Sequence, residues 1–148
     1  MATTNHEKAK FWWQLIETLS SEDPWYDGFR PKRNGKLKQS AIEHDTDKDG
    51  VWLCFRWRNK WRGREDRVEV TVTIQGLGLD RANNYLSHLR NHKKSIESKL
   101  TREIYDWEEA IDGSETARII TEVPRDEWDK CIIDLRDTMN EYRNIIEP

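Results

Sequence analysis

Residues 67–74 alternate strictly between polar and apolar side chains, and no other segment of this chain limits its fold as much. The apolar positions are Val68, Val70, Val72 and Ile74, and the polar positions are Arg67, Glu69, Thr71 and Thr73. Successive side chains of a β-strand point to opposite faces of the sheet, so the pattern predicts a strand with one buried face and one polar face. A second layer of structure is then needed to cover the buried face.

Four further strands are predicted from weaker patterns. Residues 37–44 and 51–58 precede the alternating segment, and the turn formers HDTDKDG lie between them. In the second of these strands Trp52, Arg56 and Arg58 fall on one face, opposite an apolar set. Residues 103–109 and 116–123 follow the alternating segment, with AIDGSE as the turn that joins them.

Three amphipathic helices are predicted from apolar residues spaced three and four apart. They cover residues 7–19, residues 81–100 and a final segment that starts near Pro124, because proline suits the first turn of a helix. Residues 20–36 hold several prolines and glycines and are predicted to be a long loop, pinned to the body by its aromatic side chains.

The element order α-β-β-β-α-β-β-α predicts the α+β class. We expect an antiparallel sheet of about five strands with the helices packed on one face. A chain of 148 residues has the size of one domain, so residues 1–148 are expected to form a single α+β domain.

Composition excludes several classes of protein. No window approaches the roughly 18 consecutive apolar residues of a membrane helix, and the N-terminus lacks a signal-peptide pattern. We therefore expect a soluble, cytoplasmic protein with no membrane partner. Cys54 and Cys131 lie far apart without a paired spacing, which predicts two buried thiols rather than a disulfide framework or a zinc site. No cofactor is expected.

Charge is distributed unevenly along the chain. Residues 30–67 carry 12 Lys and Arg against 6 Asp and Glu, whereas residues 103–148 carry 5 against 14. The basic part interleaves cationic and aromatic residues around the predicted hairpin. The candidate nucleic-acid-binding residues there are Trp52, Arg56, Arg58, Lys60, Trp61, Arg62, Arg64 and Arg67. Guanidinium groups neutralise phosphates, and exposed indoles stack on unpaired bases.

The same hairpin has a structural explanation, which stays open at this point. Trp57 then belongs to the core, and the arginines form a solvated turn or cross-strand pairs with residues such as Glu69.

Acidic residues suggest two metal sites, and both patterns are incomplete. Asp45, Asp47 and Asp49 match the first half of a calcium-binding loop, but Arg56 stands where the bidentate acid belongs. Asp66 and Glu69 resemble the acids of a metal-dependent nuclease, but the lysine expected two residues after Glu69 is absent. We predict no metal site from either pattern.

No catalytic set is recognised. His88 and His92 are four residues apart and can face the same way on a helix, but no Cys or acidic third ligand is near them in sequence, so a surface role is expected. The chain also lacks a recognisable nucleophile with a partner and a glycine-rich phosphate loop.

Several segments together resemble domain-of-unknown-function family 4268 of bacteria and archaea. They are the opening FWWQLIE, the strand RVEVTVTI, the helix SHLRNHKKSIESKL, the strand DWEE, the strand TARIITEV and the closing amphipathic helix. The resemblance implies an α+β module that often lies C-terminal to a nuclease-like domain and has no established catalytic residues.

These observations predict a non-catalytic accessory or recognition domain. Its partner is expected to be nucleic acid or a nuclease-like, nucleic-acid-acting protein, bound through the basic Trp/Arg hairpin. The alternative is a protein-interaction or self-assembling domain, such as a homodimer, that uses an open sheet face bearing Trp52.

Overall fold

The alternating segment forms a central strand of an antiparallel sheet. The fold is that of a computed structural model, described over residues 5–31, 41–58, 66–125 and 127–148. Within these ranges the α-helices are α1 (Asn5–Glu22), α2 (Leu79–Arg90), α3 (Lys93–Ser98) and α4 (Trp128–Ile146), and a 3₁₀ helix (Pro24–Gly28) follows α1. The strands are β1 (Arg30–Pro31), β2 (Ala41–Asp45), β3 (Val51–Arg58), β4 (Arg67–Ile74), β5 (Asp106–Glu108) and β6 (Ala117–Pro124).

The strands lie in the order β1-β2-β3-β4-β6-β5, and each neighbouring pair is antiparallel. β3 and β4 pair along their whole length, from Val51 opposite Ile74 to Arg58 opposite Arg67. The chain then forms α2, α3 and β5 before β6 returns to pair with β4. The predicted α+β class and element order are confirmed, and the two-residue edge strand β1 extends the predicted sheet.

The core lies between one face of the sheet and the helices. The apolar residues of β4 are fully buried there, as the alternation predicted. Trp12 of α1 packs against Phe55 and Trp57 of β3, with ring centres 6.5 and 6.2 Å apart. Tyr142 of α4 shares a buried hydrogen bond with Thr121 of β6. Both cysteines are buried, as expected.

The prediction of a single helix over residues 81–100 is wrong, because the structure has two helices there. α2 ends at Arg90 and α3 begins at Lys93. At the break, the backbone N–H of Asn91 donates to Ser87 O at 3.0 Å and that of His92 donates to Leu89 O at 2.9 Å. The three- and four-residue spacing continues across this turn, since Leu86 of α2 and Ile96 of α3 are both buried, so periodicity could not reveal the break.

The predicted start of the last helix is also wrong. Pro124 is the last residue of β6, where it pairs with Arg67, and α4 begins at Trp128. A strand end tolerates proline because the missing N–H removes little from the ladder. β5 is shorter than predicted and covers only Asp106–Glu108. Of the strand expected over residues 37–44, the first four residues lie outside the described ranges, and β2 covers Ala41–Asp45.

Aromatic residues pin the described part of the predicted loop. Trp25 stacks on His44 of β2 with ring centres 4.1 Å apart, and the Arg143 guanidinium of α4 lies 4.2 Å from the Trp25 ring centre. Phe29 contacts Phe55 at 5.0 Å. The loop therefore joins α4, β2 and the core.

None of the helices in the described ranges combines the length and the apolar character that crossing a membrane requires.

Candidate binding surface

The sheet has a second face, which points away from the core and which we call the polar face. Its charged and aromatic members include Arg30, Glu43, Asp45, Trp52, Arg56, Arg58, Arg67, Glu69, Arg118 and Glu122. Four of the predicted binding residues, Trp52, Arg56, Arg58 and Arg67, thus lie on one surface. The other four, Lys60, Trp61, Arg62 and Arg64, lie outside the described residues.

Glu69 lies at the centre of the polar face and is only 2% exposed. Its Oε1 lies 2.9 Å from Nε of Arg56, its direct cross-strand partner, and its Oε2 lies 3.7 Å from Nε of Arg58. The Arg56 contact is too poorly aligned to be a hydrogen bond, so its attraction is electrostatic. A buried carboxylate is costly unless cations compensate it, and two arginines do so here.

Arg67 of β4 is also compensated by an acid. It forms an ion pair with Glu122 of β6, and both side chains are largely buried. Together with the Arg56–Glu69 contact, this pair accounts for two of the four described residues that the sequence assigned to nucleic acid. The charges of Arg56 and Arg67 are therefore compensated by acids within the domain.

Trp52 is partly buried and does not offer an open ring. The Arg30 guanidinium lies 5.5 Å from the Trp52 ring centre, and Arg30 Nη2 is 2.9 Å from Asp45 Oδ1. Asp45 is the direct cross-strand partner of Trp52. The cation is thus positioned over the indole by an acid on the neighbouring strand, a cation–π arrangement that covers part of the ring.

Arg58 and Arg67 face each other at the last pair of the β3–β4 ladder. Like charges directly opposite each other destabilise a sheet, and the nearby Glu69 and Glu122 offset that repulsion. The two arginines differ in exposure: the Arg58 side chain is 45% exposed, whereas that of Arg67 is 12% exposed. Arg58 is therefore the more exposed cation of this pair.

Trp57 belongs to the core, as the structural explanation of the hairpin expected. It is 3% exposed and meets Phe11 of α1 edge to face at 5.0 Å. Arg125, which follows β6, places its guanidinium 4.6 Å from the Trp57 ring centre. Trp57 is therefore unavailable for stacking on a base.

The acidic patterns acquire other partners. Asp45 pairs with Arg30, and Asp47 pairs with Lys48 at 3.0 Å while its backbone N–H donates to the side chain of Glu147, the residue that follows α4. Among the described residues no group of three or more His, Cys, Asp or Glu side chains converges as a metal site. The rings of His88 and His92 do come together, with centres 5.3 Å apart.

Two open depressions of about 310 and 560 Å³ flank residues 101–104, the segment between α3 and β5. Arg102, which lines both, is held by Asp134 at 2.8 Å. Thr101 is held by Glu141, which accepts hydrogen bonds from its backbone N–H and its hydroxyl. Thr101 and Arg102 are thus engaged within the fold.

Sequence reasoning missed the second half of the polar face. Arg118 and Glu122 of β6 lie on it, and Arg118 pairs with Glu108 of β5 at 2.8 Å. Their signal was the alternation of residues 116–123, which placed both on the polar side of that strand. The alternation could not show which strand lies beside β6, because only the chain topology places β6 beside β4.

The chain matches no family model, no curated protein and no solved structure in the three comparisons made with known proteins. The resemblance to domain-of-unknown-function family 4268 stays a prediction.

Proposed function

We propose that this domain is a non-catalytic recognition domain that binds nucleic acid through the end of the β3–β4 hairpin. The observation that carries the proposal is Arg58, which lies at the last cross-strand pair of β3 and β4 with 45% of its side chain exposed. Lys60, Arg62 and Arg64 follow it within six residues of the sequence. Four cations are therefore concentrated in a short stretch of sequence, which is the pattern that phosphate binding requires.

The middle of the polar face is a poorer candidate for phosphate. Arg56 is already compensated by Glu69, and Arg67 by Glu122. A phosphate there would have to displace a carboxylate from an arginine and leave the carboxylate buried and repelled. The proposal therefore assigns phosphate contacts to Arg58 and to the cations of residues 60–64, and internal roles to Arg56 and Arg67.

Single-stranded nucleic acid fits this hairpin better than a duplex. Trp61 lies between the cations in sequence, and an indole beside arginines stacks on a base only where that base is unpaired. Trp52 and Trp57 are covered by Arg30 and by the core, respectively, so the proposal assigns base stacking to Trp61.

The test is a fluorescence-anisotropy titration of the full chain with labelled single- and double-stranded DNA and RNA over a range of salt. Each phosphate contact contributes about 0.7 to 0.9 to the slope of log affinity against log salt. We expect binding to single strands with a slope of about two or more. Absence of binding to every oligonucleotide at low salt would contradict the proposal.

A protein partner on the polar face is the second candidate function. The observation that favours it is the pairing of most described charges there, in contacts such as Arg118–Glu108 and Arg30–Asp45. A charge-balanced surface with an indole among its arginines resembles a protein interface more than a phosphate groove. A nuclease-like protein and a second copy of this chain are the partners proposed. Light scattering over a range of protein concentrations tests self-association, and a Trp52→Ala variant should weaken it.

A further inference from the structure

His88 and His92 come together at the junction of two helices. His88 lies in the last turn of α2, and His92 is the residue that caps the start of α3. Both side chains are exposed, and their ring centres are 5.3 Å apart. Neither residue belongs to the candidate nucleic-acid hairpin.

The spacing of the two rings suits chelation of one ion. With metal–nitrogen bonds of about 2.0–2.1 Å, each ring centre lies about 3.2 Å from the ion, so a tetrahedral angle separates the two centres by about 5.2 Å and a right angle by about 4.5 Å. The observed 5.3 Å agrees with the tetrahedral value. Because both rings are exposed, they can turn a nitrogen toward a shared ion without disturbing the core.

The neighbouring cations do not forbid such an ion. Arg90 lies between the two histidines in sequence, but its Nη1 is 3.2 Å from Glu109 and its Nη2 donates to Trp107 O. Lys93 lies 3.8 Å from Glu97. Both side chains are thus directed to acceptors of their own.

We propose that His88 and His92 bind one divalent transition-metal ion of the copper, nickel and zinc class, through one imidazole nitrogen each. Imidazole is a favoured ligand for these ions, whereas Mg²⁺ and Ca²⁺ prefer oxygen. Water completes the coordination, since no third His, Cys, Asp or Glu of the described residues joins the pair. The bound ion links the end of α2 to the start of α3 and so stabilises the junction between them.

The test is calorimetric titration of the untagged full chain with NiCl₂, ZnCl₂, CuCl₂, MgCl₂ and CaCl₂ in a buffer that does not chelate metals. We expect one saturable Ni²⁺ site per chain, tighter binding of Cu²⁺, and none of Mg²⁺ or Ca²⁺. His88→Ala and His92→Ala should each weaken Ni²⁺ binding by about tenfold or more, because the second contact of a chelate is intramolecular. Ni²⁺ should also raise the melting temperature of the parent chain.

His6→Ala is the matched control, because His6 is an exposed histidine on α1 and the next histidine in the sequence is His44. It should leave Ni²⁺ affinity unchanged, and circular dichroism should show that every variant is folded. Electron paramagnetic resonance of the Cu²⁺ complex should show two nitrogen ligands in the parent and one in His88→Ala. Equal Ni²⁺ affinity in the parent and in His88→Ala, or absence of saturable binding below millimolar Ni²⁺, would overturn the proposal.

Discussion

Glu69 is the direct cross-strand partner of Arg56, and its Oε1 lies 2.9 Å from the Arg56 Nε at the centre of the polar face. Because Glu69 is buried and is also near Arg58, removing it leaves one largely buried cation without its compensating acid. We expect Glu69→Ala to lower the free energy of unfolding by about 3–5 kcal/mol, measured by urea denaturation.

A double replacement separates the pair's net contribution from the cost of breaking it. Arg56→Met with Glu69→Leu removes both charges while retaining most of their volume, and its stability should be close to that of the parent. A loss below about 1 kcal/mol in Glu69→Ala would mean that Glu69 is not compensated by these arginines in solution.

Gly28 lies so close to His44 that a side chain would not fit. A Cβ at this position would lie 2.7 Å from Cδ2 of His44 and closer still to Nε2. The His44 ring cannot easily step aside, because it stacks on Trp25 and its nitrogens contact Trp25 O at 2.9 Å and Asp45 O at 2.6 Å. Gly28→Ala should therefore cost about 1–3 kcal/mol in thermal or urea unfolding.

A double-mutant cycle checks that cause. In a His44→Ala background the obstruction is gone, so Gly28→Ala should cost much less there than in the parent chain. Equal costs in the two backgrounds would show that the loss arises elsewhere in the turn.

Burial raises the pKa of Tyr142, and the same cause raises the pKa of Tyr26. In the unfolded chain a tyrosine ionises near pH 10. The contribution of the buried, protonated tyrosines to the free energy of unfolding is therefore complete below about pH 10 and is lost as the pH rises above it. We expect the free energy of unfolding to fall above pH 10 by about 1.4 kcal/mol per pH unit for each buried tyrosine.

Tyr142→Phe should reduce that alkaline slope by the share of one tyrosine, although it loses the hydrogen bond to Thr121 at neutral pH. Tyr105 is exposed, so Tyr105→Phe is the matched control and should keep the slope of the parent. An unchanged slope in Tyr142→Phe would show that the hydroxyl is not buried in solution.

The fold was predictable where one side of an element is apolar and the other is polar. β4 is such an element, because Val70 and Val72 are buried in the core, whereas Glu69 on the other side is buried among polar partners. The edge strand β1 was not predictable, since it has two residues, one of them a proline, and depends on the distant pairing of Arg30 with Glu43.

The sequence predicted which arginines lie in the candidate site but not which acids of the fold compensate them. The sequence assigned Arg58 and Arg67 to one hairpin, and the structure pairs them. It gave no sign that Glu122, 55 residues further along the chain, would hold Arg67, because that contact requires β6 to return beside β4. Long-range topology therefore decides which arginines are compensated by a carboxylate of the fold and which can contact a ligand.

The exposed Arg58 and the buried Arg67 should respond differently to replacement, although they are cross-strand partners. Arg58→Ala should reduce the salt slope of single-strand binding by about 0.7–0.9, because one phosphate contact is lost, with little change in stability. Arg67→Ala should instead lower the free energy of unfolding, because it removes the buried ion pair with Glu122.

The connecting segment carries the rest of the predicted effect. Arg62→Ala with Arg64→Ala should reduce the salt slope by up to about two, while Trp61→Ala should cost about 1–3 kcal/mol of affinity with little change in slope. Lys93→Ala with Lys94→Ala removes the same charge from exposed positions of α3 and is the matched control. If this control lowers the slope as much as the hairpin variant does, the nucleic acid is held by net charge alone and the hairpin is not its binding site.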